Sequence, residues 1–139
     1  MIETQTKSNE NASLTLFQEQ GTTAPIVRDK AYYDHVFEEA LNSYQSYIRV
    51  PDTATLRKAY EYSYLSHLGQ FRKSGLPYFD HIIEVVKILI EQNMDTVTLV
   101  AAFLHDVIED TGKTYDDIAK EFGGDVAGIV DGLTKIAGF

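Results

Sequence analysis

The chain has 139 residues, 44% of them apolar, with 12 Lys and Arg against 21 Asp and Glu and a net charge of -9. This is one domain's length, enough to bury a sizeable core, and its acidity argues against binding along a nucleic-acid backbone. There is no Cys, which excludes disulfides and thiolate metal sites, so any metal must be held by His, Asp or Glu. No apolar run is long enough to span a bilayer and no secretory leader is visible, so a soluble cytoplasmic protein without a membrane partner is expected.

Residues 1–25 are polar and lack sustained periodicity, which predicts a disordered or loosely packed tail ending at Pro25. From Asp29, apolar residues recur at threes and fours (Tyr32, Val36, Phe37, Ala40, Leu41, Tyr44, Ile48) and predict a first helix. Asp52 or Thr53 caps a second, with Leu56, Ala59, Tyr60, Tyr64 and Leu65 facing inward. Gly69 to Pro77 is a loop. A third helix from about Phe79 carries the stripe Ile82, Val85, Val86 and Leu89 and fades at Gln92-Asn93. Asp95 caps a fourth, from about Thr96 to Asp110, which Thr111-Gly112-Lys113 breaks. Thr114 with Asp117 three residues on is a capping-box pattern that opens a short helix, Tyr115 to Phe122, closed by Gly123-Gly124. A sixth begins near Asp125 and runs through Val126, Ile129, Val130 and Leu133. No segment alternates as a strand does. The predicted fold is all-α, an orthogonal bundle of about six helices over residues 26–139. The sixth helix is still apolar at Leu133 and Ile136, so a fold truncated at its C-terminus, or covered there by a partner chain, is expected.

The chemistry gathers on the fourth helix. At about 100° per residue, His105, Glu109, Asp106 and Asp110 share one side, spread over about 140°. Leu104, Val107, Ile108, Val100 and Val97 cover the other. Thr98, Ala101 and Ala102 put little bulk beneath the polar groups and leave room for an ion and a substrate. One imidazole and three carboxylates suit a divalent cation. The same octamer also reads as an amphipathic helix with its polar side in water, and the rest of the chain decides between the two.

His81 stands at the start of the third helix. A hairpin through Asn93-Met94-Asp95 would return it to His105-Asp106, so two imidazoles and a carboxylate converge as candidate ligands. Arg72-Lys73-Ser74-Gly75 is a dense positive loop separated from His81 by five residues. It would form a basic rim able to clamp phosphate oxygens, with Ser74 adding a hydroxyl. A cation beside a basic rim is the equipment for water attack on a phosphate ester. His67 reads as structural, because the loop turns away at Gly69. His35, with no acidic partner expected nearby, is assigned no role.

Taken together, His67-Leu68-Gly69-Gln70-Phe71-Arg72-Lys73-Ser74-Gly75, Pro77-Tyr78, His81, Leu104-His105-Asp106-Val107-Ile108-Glu109-Asp110-Thr111, Phe122-Gly123 and Val130-Asp131-Gly132-Leu133-Thr134-Lys135 resemble the hydrolase domain of the RelA/SpoT homologue family, whose bifunctional members make and degrade (p)ppGpp. The resemblance covers roughly residues 55–139. It implies an HD-domain bundle that hydrolyses the 3′-pyrophosphate of (p)ppGpp with Mn²⁺. His81, His105 and Asp106 would be metal ligands, Glu109 and Asp110 the acidic pair acting on water, and Arg72, Lys73 and Ser74 the substrate loop. Ile82 stands where the family usually has Pro, and Leu76 where it usually has an acidic residue. The family's fourth ligand is an aspartate on a later helix with no counterpart in this sequence. The resemblance therefore implies a longer parent with synthetase and regulatory domains downstream, and an incomplete metal shell here. Two other readings stand beside it: a non-catalytic regulatory module next to a synthetase, and an HD phosphohydrolase of another nucleotide. The intact His105, Asp106, Glu109 and Asp110 favour the hydrolase.

Overall fold

The computed structural model describes residues 25–137. It is all-helical over that range: α1 (Lys30–Tyr47), α2 (Thr53–Ser66), α3 (Tyr78–Glu91), α4 (Thr96–Leu104), α5 (Val107–Thr111), α6 (Tyr115–Phe122) and α7 (Gly124–Ala137). The only β-bridge among the described residues is an isolated antiparallel one between Phe71 and Pro77. None of the helices there is long and apolar enough to cross a membrane. The tail expected over residues 1–25 falls outside the described residues except for Pro25, as do the last two residues of the chain.

The caps lie where the sequence places them. Asp29, Asp52 and Asp95 each accept a hydrogen bond from the backbone N–H three residues on, at Tyr32, Thr55 and Thr98. Thr114 and Asp117 close a reciprocal capping box at α6.

The centre of the bundle is α4, which packs against α2, α3 and α7, while α1 lies on α3 and α6 on α7. Residues Leu99 through Leu104 are all buried, as a helix enclosed by neighbours requires. Each of the first four helices sends one ring into a shared cluster. Phe37 stacks on Tyr60 at 4.3 Å, Phe103 meets them edge-on at 6.1 and 6.0 Å, and Phe79 lies 5.8 Å from Tyr60 and 6.5 Å from Phe103. Such pairs add to the burial of their area.

Several registers differ from the sequence reading. At the start of α1 Tyr33 is buried and Tyr32 is not, and the Tyr33 hydroxyl finds a partner inside, donating to Asp80 Oδ1 at 2.5 Å. Leu65 is exposed at the end of α2, and Val97 and Ile129 are also largely outside. On α3 the deep positions are Ile82, Ile83, Val86 and Ile90, while Val85 and Leu89 are half-buried beside a cavity. The predicted fourth helix is two elements, α4 and α5, interrupted at His105-Asp106.

Candidate active site

The basic loop is a small hairpin. Arg72 N–H donates to Leu76 O at 2.8 Å, Gly75 N–H to Arg72 O at 2.9 Å, and Tyr78 N–H to Gln70 O at 2.8 Å. Arg72, Lys73 and Ser74 form its exposed tip. Gly75 closes the tip at φ 90°, a conformation that strains any residue with a Cβ. The chain just ahead of α1 holds the hairpin from outside, with Ile26 N–H donating to Gly75 O at 2.7 Å.

At the α4–α5 break, side chains compete with the helical ladder. His105 Nδ1 donates to Ala102 O at 3.1 Å, taking up a carbonyl that the helix would otherwise use. Asp106 heads α5, yet its carboxylate caps nothing. It points sideways: Oδ2 accepts from the Tyr78 hydroxyl at 2.5 Å, and Oδ1 lies 3.2 Å from His105 Nε2. Asp106 is only 5% exposed, so it is as buried as the core and does not stand on a polar side facing water.

His105 Nε2 and Asp106 Oδ1 thus face each other across 3.2 Å. Two electron-pair donors at that separation attract only if a proton or a cation lies between them. His81 lines a cavity of about 520 Å³ with His105, Val85, Leu89, Thr98, Ala102 and Leu133. Its imidazole is held below the usual histidine range, first by burial and then by the charge of Arg72, with Asp106 opposing and His105 adding to the depression. It is therefore a neutral nitrogen donor at neutral pH. Thr98 and Ala102 leave the expected space, whereas Ala101 is packed in the core. The donor types suit a borderline divalent cation. What the structure assembles is the His105–Asp106 pair with His81 across the same cavity. Among the described residues no three or more His, Asp or Glu side chains gather as a metal cluster.

A second opening, of about 660 Å³, is lined by Gln70, Phe71, Arg72, Lys73, Ser74, Tyr78 and Asp110. Asp110 thus shares a space with the basic tip, and Tyr78 connects that space to Asp106. Glu109 is exposed on α5 and belongs to neither lining.

A model of the HD domain matches residues 59–139. This chain belongs to the HD-domain family. Its relatives are RelA/SpoT proteins: it is 41% identical over 117 residues to a GTP pyrophosphokinase of Myxococcus xanthus, covering 83% of this chain and 16% of that protein. It is 43% identical over 102 residues to the bifunctional (p)ppGpp synthase/hydrolase SpoT of Escherichia coli K12, covering 73% and 14%. With the GTP pyrophosphokinase rsh of Brucella melitensis the identity is 42% over 98 residues, covering 70% and 13%. The chain thus spans about one seventh of the length of these relatives.

Two further residues of this HD domain stand out. His67 is 3% exposed; its Nδ1 donates to Gln70 Oε1 at 2.7 Å, and its buried Nε2 meets no hydrogen-bond partner among the described residues. Tyr78, given no role in the sequence reading, touches more of the site than any assigned residue. The readable signal was its spacing: Tyr78 and His81 are neighbours at i and i+3 on one helix face. His35 does have an acidic neighbour, Glu39 at 3.5 Å, but the pair is exposed and remote from the site.

Proposed function

We propose that this HD domain hydrolyses the 3′-pyrophosphate of (p)ppGpp, giving GDP or GTP and pyrophosphate, with Mn²⁺ as its cation. It would act in the cytoplasm as part of a longer protein carrying synthetase and regulatory domains. The observation that carries the reading is the sharing of one opening by Asp110 and the Arg72–Ser74 tip, joined through Tyr78 to the His105–Asp106 pair. The names of the relatives support it, since SpoT is a (p)ppGpp synthase/hydrolase and a Vibrio cholerae relative, 41% identical, is a guanosine-3′,5′-bis(diphosphate) 3′-pyrophosphohydrolase.

In this reading His81, His105 and Asp106 hold the cation. When bound, the cation supplies Lewis-acid polarisation of the phosphate and of the attacking water. Arg72 and Lys73 orient the pyrophosphate with charge-assisted hydrogen bonds, and Ser74 adds a hydroxyl. Asp110, with Glu109 beside it, accepts a proton from the water as its oxygen bonds to phosphorus. The bond from that phosphorus to the 3′ oxygen breaks, the 3′ oxygen takes a proton from solvent, and the nucleotide leaves with a 3′-hydroxyl while Asp110 returns its proton to solvent.

The test is release of pyrophosphate from ppGpp with Mn²⁺, by this chain and by a version extended through the next helices, each beside Asp106→Ala. Hydrolysis that depends on Mn²⁺ and disappears in Asp106→Ala is the expected result. Activity surviving the substitution would remove Asp106 from the ligand set. The absence of a three-member ligand cluster among the described residues favours one second reading, a regulatory HD module without chemistry. An extended chain that binds Mn²⁺ yet leaves ppGpp intact would support it.

A further inference from the structure

Tyr78 sits where three parts of the site meet. Its hydroxyl donates to Asp106 Oδ2 at 2.5 Å. Its ring stacks on His81, with centroids 5.6 Å apart and planes 28° apart. Behind it His67 packs edge-on at 5.3 Å, itself held by Gln70. Its backbone N–H closes the base of the hairpin that presents Arg72–Ser74.

A carboxylate has two oxygens and can turn about its bond to Cβ. Once Oδ2 is engaged by the Tyr78 hydroxyl, Oδ1 is the oxygen presented to His105 Nε2. The same ring lies stacked on the His81 imidazole.

We propose that Tyr78 is the positioning residue of this site: its hydroxyl sets which oxygen of Asp106 faces His105, and its ring sets the orientation of His81. The inference rests on the reading of those three residues as cation ligands. Outer partners of metal ligands typically alter affinity by about 10- to 100-fold.

The experiment is a Mn²⁺ titration of the whole chain and of Tyr78→Phe, Tyr78→Ala and Asp106→Ala, with far-UV circular dichroism to verify folding. Tyr78→Phe keeps the ring and loses the hydroxyl, so its Mn²⁺ Kd should rise about tenfold. Tyr78→Ala should rise further, because His81 loses its stacking partner. If Tyr78→Phe binds like the unaltered chain while Asp106→Ala is weakened, the role of Tyr78 is overturned and the ligand reading stands. If Asp106→Ala also binds like the unaltered chain, the ligand reading fails and this inference falls with it. A second measurement needs no Tyr78 variant. In the metal-free chain the hydroxyl proton should be slowly exchanging and shifted downfield in the NMR spectrum, and should vanish in Asp106→Ala, which removes the acceptor. Its absence from the unaltered chain would overturn the proposal.

Discussion

Arg28 Nε donates to Asp80 Oδ2 at 2.8 Å, joining the segment ahead of α1 to the first turn of α3. Asp80 also accepts from Tyr33, and its charge lies at the favourable end of the helix dipole. Removing Asp80 strands two donors, whereas removing Arg28 strands one acceptor that retains Tyr33. Asp80→Ala should therefore cost about 1–3 kcal/mol, and Arg28→Ala less. Urea unfolding of both variants checks the order; a larger loss for Arg28→Ala would show that the guanidinium stacking on Tyr32, 4.6 Å from its ring centroid, matters more than the pair.

Arg72 is exposed at the hairpin tip, and its charge is the second cause of the depressed His81. Arg72→Ala should raise the KM for ppGpp about tenfold, equivalent to about 1.4 kcal/mol, while Mn²⁺ affinity changes little. The measurement is KM beside a Mn²⁺ titration. Equal losses in both would make the loop a structural support of the metal site and not a substrate contact.

Gly75 has φ 90° and both of its backbone groups bonded, to Arg72 and to Ile26. A Cβ there should cost about 1–2 kcal/mol and loosen the tip. Gly75→Ala is expected to lower the melting temperature by several degrees and to raise KM more than it lowers kcat. A kcat loss at unchanged KM would contradict the hairpin's role in binding.

Asp95 caps α4, the central helix, and the Thr98 hydroxyl, then the Thr98 backbone N–H, hold its carboxyl below the usual range. Because the folded pKa is depressed, this contribution is present above the unfolded pKa of about 3.9 and is lost as pH falls through the lower folded value. Asp95→Ala should cost about 1 kcal/mol at neutral pH, and the gap to the unaltered chain should close under acid. Thermal melts at pH 7 and pH 3 test it; a constant gap would assign the loss to helix propensity.

The helices, caps and much of the core were legible in the sequence, because periodicity and capping chemistry act within a few residues of one another. Asp29, Asp52, Asp95 and the Thr114–Asp117 box needed no tertiary information. What escaped was set by contacts distant in sequence. The buried Tyr33 meets Asp80, 47 positions away. The break at His105-Asp106 depends partly on Tyr78, 28 positions before Asp106. A single wheel through residues 96–110 placed four polar groups on one wall, whereas the interrupted helix buries Asp106, turns Asp110 toward the hairpin and leaves Glu109 outside both openings.

The ring cluster has a consequence for how the domain comes apart. Phe79 directly follows Tyr78, and Phe103 lies two residues before His105, so the two halves of the site hang from adjacent pegs of one hub. No local fraying can separate them without first dismantling the contacts that hold the bundle together. In native-state hydrogen exchange, the amide of Phe103 and those of the α3 residues beyond its first turn should open only in the same cooperative event as the whole domain.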